Sequence, residues 1–307
     1  MRLAAVSRWA AVFWGAVTLL PAAKPEEGIV YGEAGNEKLT MDYYAPGRQT
    51  ARRPHPIAII IHGGGFTRGT SRNNSEAYCA DFLVPAGYAV FSINYRLAPK
   101  HPYPAMVEDV ERAVRFIRHN ARKWNADPRR VALVGGSAGG YLSNMAGLLG
   151  GLAPAERVPG ATDRVDRESA RVQAVVTLFG PSDFRGRPAP ENLKALLGPL
   201  IAKKGEEAAL AEASPVMHIT RGAPPFLLIH GDRDEAVPFT QSTHFQAALK
   251  AAGVPCDLIL IPNGPHATGR WHKVPGVPDW EMRMIEWLNH ALNHRGPAGE
   301  GIRPRDP

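Results

Sequence analysis

Cysteine is scarce in this 307-residue chain: Cys79 and Cys256 are the only two. They lie far apart and form no metal-ligand spacing, so the chain reads neither as a disulfide scaffold nor as a zinc module. An oxidising compartment would permit a bridge between them, and the spacing leaves their pairing open. Concentrated charge is missing too. The net charge is +7, but Arg52-Arg53, Arg129-Arg130 and Lys203-Lys204 are isolated pairs and no basic stripe forms, which argues against a nucleic-acid partner. Internal repeats are absent, and the apolar stretch at 9–20 is short for a membrane span. That stretch follows Arg2 and Arg8 and precedes Ala22 and Ala23, the pattern of a secretory signal peptide over 1–23. The expectation is a secreted or periplasmic protein without stable membrane insertion, a retained anchor being the alternative. Hydrophobic residues at 44% and charged residues at 21% set aside the disordered and fibrous classes. The length suits one domain over 24–294, with a disordered tail over 295–307.

What is present is an alternation of apolar runs and helical patterns. Two segments, Ile29-Val30-Tyr31 and 39–44, suggest an opening antiparallel hairpin at a sheet edge. Ile57-Ala58-Ile59-Ile60-Ile61 is continuously apolar, as a central strand covered on both faces must be. Strands are also expected at 89–95, 131–134, 172–179, 226–229 and 257–261. Between them, Val107, Val110, Val114 and Ile117 recur at helical spacing, with Glu108–Arg112 and Glu111–Arg115 as i,i+4 pairs on the other faces. Further helices are expected from Ala138, around 245–252 and across 280–290. Such alternation implies an α/β fold with a largely parallel sheet and helices on both faces. Residues 150–170 read as a surface loop. Residues 188–213 carry a short helical pattern of Leu193, Leu196, Leu197 and Leu200, which fits a cap over the site or a plain surface insertion.

The chain is organised around Gly135-Gly136-Ser137-Ala138-Gly139, where the strand at 131–134 stops and a small-residue helix begins. A serine on so sharp a turn crowds its neighbours, and only very small residues fit two places before and after it. The turn raises the hydroxyl above the carboxyl edge of the sheet, beside the first N–H groups of a helix. The same glycine pattern also ends strands or holds phosphates, so the rest of the chain has to decide. A serine hydroxyl is a weak nucleophile and needs a base, itself oriented by an acid. Asp234 follows the strand at 226–229, within His230-Gly231-Asp232-Arg233-Asp234, and His266 follows the strand at 257–261. Asp232 and His272 remain alternative acid and base, while His62 and His230 read as structural. After the strand at 57–61, His62-Gly63-Gly64-Gly65 leaves backbone N–H groups free to approach a ligand, a second source of oxyanion donors.

With His62-Gly63-Gly64-Gly65, Tyr95-Arg96-Leu97-Ala98-Pro99, Gly135-Gly136-Ser137-Ala138-Gly139-Gly140, His230-Gly231-Asp232-Arg233-Asp234 with Val237-Pro238, and His266, the chain resembles the α/β-hydrolases of the hormone-sensitive-lipase-like esterase group, near its bacterial acetyl, feruloyl and carboxyl esterases. The resemblance covers about residues 28–293. It implies that Ser137 is the nucleophile, Asp234 the acid, His266 the base, and Gly64, Gly65 and Ala138 the oxyanion donors, with no metal or organic cofactor. It also implies an ester substrate, small or borne on a polysaccharide; oligomeric state stays open. The sequence departs from the group just after the histidine, where Ala267-Thr268-Gly269-Arg270-Trp271-His272 follows. A serine peptidase of the prolyl-oligopeptidase type shares the His-Gly-x-x-Asp-x-x-Val-Pro stretch, though the chain has no room for that group's propeller. A non-catalytic binding protein on the same scaffold is the third reading.

Overall fold

Successive residues of a strand point to opposite faces, so an apolar run from Ile57 to Ile61 needs cover on both. A computed structural model, describing residues 24–47, 53–72, 76–152, 163–186 and 188–293, supplies that cover. Ile57, Ile59 and Ile61 of strand β3 (His55–Ile61) join one core, and Ala58 and Ile60 join a second on the other side. The expected signal peptide, the tail and the middle of the loop at 150–170 lie outside the described residues.

Strands β1 (Glu26–Ala34) and β2 (Glu37–Tyr44) form the antiparallel hairpin at the sheet edge. The others are β4 (Ala89–Ile93), β5 (Ala126–Gly136), β6 (Ala174–Leu178), β7 (Phe226–Gly231) and β8 (Cys256–Ile261). Sheet order is β1-β2-β4-β3-β5-β6-β7-β8, with β2 antiparallel to β4 and every later pairing parallel. β5 starts five residues before the apolar run at 131–134, because Ala126 pairs with His55 ahead of the core.

The first core holds helices α2 (Ala105–His119) and α3 (Ala138–Leu149), together with Phe245 and Leu249 of α6 (Thr240–Ala251). The second holds α1 (Cys79–Leu83), which the sequence did not announce, and α7 (Trp280–Asn293). All four apolar positions expected on α2 are buried, as its period demands. Its charged pairing differs from expectation. Arg112 bonds Asp163 and Asp166, each at 2.6 Å, and Glu108 sits 3.6 Å from Arg96. The turn at Val165–Arg167 packs along α2 and offers Arg112 two carboxylates in place of one helical neighbour. The Glu111–Arg115 pair does form at 3.4 Å, but both side chains are buried.

Within 188–213 the Leu pattern becomes α4 (Glu191–Lys204), with Leu193, Leu196 and Leu197 buried, and α5 (Glu206–Glu212) follows across Gly205. Cys79 and Cys256 are both buried and free, and burial pushes both thiols up. Among the described residues no helix is long and apolar enough to cross a membrane.

Candidate active site

Parallel strands run their carboxyl ends to one rim, where the loops after β3, β5, β6, β7 and β8 meet. At the end of β5 the chain turns sharply: Ser137 takes φ 53° and ψ −120°, a strained backbone for a non-glycine residue. Its N–H donates to the Leu178 carbonyl (2.9 Å) and its carbonyl accepts from Tyr141 N–H (3.0 Å), which anchor the turn to β6 and α3. The tightness of the turn explains its glycines. A Cβ at 139 would overlap the carbonyl oxygen of Ile61, and one at 135 the carbonyl oxygen of Gly139. Backbone cannot rotate away as a side chain can. Gly139→Ala is therefore expected to destabilise the protein by about 1–3 kcal/mol or more, read as a thermal midpoint lower by several degrees; an unchanged midpoint would contradict this packing.

Above the elbow sits the glycine loop. Gly64 adopts φ 116°, a conformation closed to other residues without strain, and its carbonyl accepts from the N–H groups of Thr67 and Arg68, both at 3.2 Å. Gly63 N–H donates to a Glu76 carboxylate oxygen (3.0 Å), so it is committed and the loop's oxyanion candidates reduce to Gly64 and Gly65. Ala138, first residue of α3, carries an N–H that its own helix cannot satisfy. His62 lies beneath this loop, stacked on Tyr95 at 4.2 Å, with Nδ1–H donating to the Gly63 carbonyl (2.7 Å). Burial pushes its imidazole down to about 4, so it is a neutral packing group.

The three predicted side chains converge. His266 Nε2 lies 3.0 Å from Ser137 Oγ, and its Nδ1 lies 2.7 Å from Asp234 Oδ2. The Asp234 side chain is fully buried. Its Oδ1 accepts the N–H groups of Ala236 and Val237, both at 2.8 Å. Burial alone would push its carboxyl up, but hydrogen bonds from His230, His266 and the Val237 N–H outweigh that and hold it well below the usual carboxylate range. His230 Nε2–H donates to the Val237 carbonyl (2.9 Å) and lies 3.2 Å from Asp234 Oδ2, while Nδ1 faces Ser242 Oγ (2.7 Å). The ring thus pins the acid's loop to α6.

Neither alternative reaches Ser137. Asp232 accepts the Asn263 N–H (2.7 Å) and ties the loops after β7 and β8 together. His272 pairs with Glu281 at 3.3 Å and packs on Tyr78. The departure after His266 folds into a short 3-10 helix, Thr268–Lys273, whose Trp271 is buried and donates from its indole N–H to the Pro265 carbonyl (2.8 Å). Sequence reasoning missed Phe179, whose ring meets that of His266 edge-on at 4.6 Å and rests on Trp271. The only hint was its place at a strand end before Gly180. Ser137, His266, Phe179, the glycine loop and Asn192 of α4 line one cavity of about 660 Å³. The arrangement can deliver an activated hydroxyl to a carbonyl held beneath backbone N–H groups.

Comparison with known proteins points the same way. A family model described as BD-FAE matches residues 41–249. The chain is 34% identical to the esterase LipC of Mycobacterium tuberculosis over 204 residues, 65% of this chain and 49% of LipC. It spans about half the length of the mycobacterial relatives it matches first. A truncated carbohydrate esterase from gut microbiota superposes with a TM-score of 0.75 at 27% identity, covering 89% of this chain and 98% of that one. An acetyl ester-xyloside bifunctional hydrolase from Caldicellulosiruptor lactoaceticus gives 0.74 at 27% identity, with the same two coverages.

Proposed function

The chain belongs to the BD-FAE family and has the α/β-hydrolase fold, and from that premise we propose that it is a serine carboxylic ester hydrolase acting on short acyl esters, acetyl or feruloyl groups on carbohydrate among them. One observation carries the reading: His266 bridges Ser137 and Asp234 at 3.0 and 2.7 Å. That LipC is an esterase, and the two solved structures a carbohydrate esterase and an acetyl ester-xyloside hydrolase, supports the substrate class.

In this reading His266 takes the Ser137 proton through Nε2 as Oγ attacks the ester carbonyl. Asp234 accepts from Nδ1–H, which keeps the correct tautomer and stabilises the imidazolium. The N–H groups of Gly64, Gly65 and Ala138 receive the oxyanion, each such donor being worth about 2.7–4 kcal/mol at the transition state. The alcohol departs with the proton from His266, and water repeats the sequence on the acyl-enzyme. A chain-length series of p-nitrophenyl esters, run beside acetyl-xylan and methyl ferulate, tests the class; no turnover of any of them removes the reading. We extend it to an exported enzyme, tested by whether the mature chain from a secreting host begins near residue 24.

A histidine base must be neutral to accept the serine proton, so kcat/KM is expected to climb as pH rises. Asp234, held well below the usual carboxylate range, stays ionised throughout that climb. One proton should therefore govern the rise, and a flat profile, or a slope of two protons, would contradict the assignment.

A further inference from the structure

Glu76 belongs to none of the motifs, yet it is buried and lines the same cavity as Ser137. A carboxylate is costly to bury unless hydrogen bonds hold it. Its Oε2 accepts the Gly63 N–H at 3.0 Å. Its other oxygen fills the space beside Gly136: a Cβ there would overlap Oε1, with Cγ and the carboxyl carbon 2.8 Å away. Gly63 in turn packs on the elbow, where a Cβ would lie 3.0 Å from the Gly136 carbonyl oxygen and 3.3 Å from Ser137 Cβ. One carboxylate thus bonds the residue before Gly64 and presses on the residue before Ser137.

That placement has a mechanical consequence. Three glycines in succession are the least restrained backbone a chain can present, and donors stabilise an oxyanion fully only when their orientation is set beforehand. The Gly64 N–H lies in the peptide that follows Gly63, so pinning Gly63 N–H narrows the rotation that would swing it away. We propose that Glu76 is a positioning residue for the esterase reaction: it holds the glycine loop in register with the nucleophile turn, so that the N–H groups of Gly64 and Gly65 meet the oxyanion. The acceptor oxygen does this, and the negative charge is incidental. Glycine at 136 is the complement of this arrangement, since any side chain there would displace the carboxylate.

The inference rests on the esterase reading, and variants separate the two. With p-nitrophenyl acetate, Glu76→Ala is expected to lower kcat at least about tenfold while KM stays within about twofold. Glu76→Gln keeps an oxygen for the Gly63 N–H and is expected to retain most of kcat. Glu76→Asp keeps the charge but is one methylene short, and is expected to fall with alanine. Affinity for a trifluoromethyl ketone, which forms a tetrahedral adduct on the serine, should fall in step with kcat across the series, a correlation that general loosening would not produce. Should the alanine variant fail to fold, the Gln and Asp pair decides. Wild-type kcat in the folded Ala or Asp variant, or a Gln variant as impaired as Asp, overturns the proposal. An active wild type with indifferent variants removes only the role of Glu76; a wild type that neither turns over the ester nor reacts with a fluorophosphonate removes the esterase reading with it.

Discussion

Ser137→Ala is expected to lower turnover of p-nitrophenyl acetate by about 10⁴–10⁶-fold, with the thermal midpoint unmoved within about 2 °C. The two halves of this result have separate causes. The hydrogen bond given up is that to His266 Nε2, so removing the hydroxyl deletes the attacking atom and little else. The bonds that hold the turn, from Ser137 N–H to Leu178 and from Tyr141 N–H to Ser137, are backbone bonds that alanine keeps. Residual activity would come from the N–H groups alone, since removing the nucleophile leaves oxyanion stabilisation in place. Steady-state turnover, fluorophosphonate labelling and a melting curve on the same preparation check it. Wild-type turnover in the variant would refute the assignment, whereas an inert wild type would favour a binding protein on this scaffold.

Asp234→Asn is expected to cost about 10⁴-fold in kcat, and the surrounding bonds say why. The Ala236 and Val237 N–H groups both point at Oδ1, so the asparagine oxygen must take that place. The amide NH₂ then occupies the Oδ2 position, 2.7 Å from His266 Nδ1, where it can only donate. Nδ1 becomes the acceptor, Nε2 carries the proton, and the ring faces Ser137 with a donor where a base is needed. Packing should survive, because the two side chains are isosteric. The same substitution has a stability signature. The folded carboxyl is held below its ordinary value, so its contribution is present above the unfolded pKa of about 3.9 and is lost as pH falls through the folded value. The asparagine variant lacks that contribution and should lose less stability than the wild type between neutral and acid pH. Equal acid sensitivity in urea titrations of the two proteins would count against the bonding described for Asp234.

Much of this site is legible in the residues because its chemistry is tied to local backbone. A serine that must sit at φ 53° needs small neighbours, and Gly135 and Gly139 record that need at fixed offsets. The glycine triplet after β3 is legible for the same reason, and the two burial faces of Ile57–Ile61 follow from an uninterrupted apolar run. Glu76 and Phe179 were not legible, because no local pattern announces them. Glu76 meets the elbow about sixty residues on in the chain, and Phe179 meets His266 across the sheet rim. The misplaced partner of Arg112 has the same origin: Glu108 is one helical turn away, but the carboxylates that win are those of Asp163 and Asp166, brought by the fold.

From the residues alone came the strand order along the chain, the strained turn at Ser137, and the candidate acids and bases among the polar residues that follow β7 and β8. Those properties depend on backbone conformation and on apolar period, which are written within a few residues. Tertiary structure alone decided which groups meet: His266 rather than His272 at Ser137, Asp234 rather than Asp232 at His266, and a carboxylate from outside every motif at the Gly63 N–H. A hydrogen bond is settled within about 3 Å of space, and the distances that choose among candidates exist only after the sheet has drawn five loops to one rim.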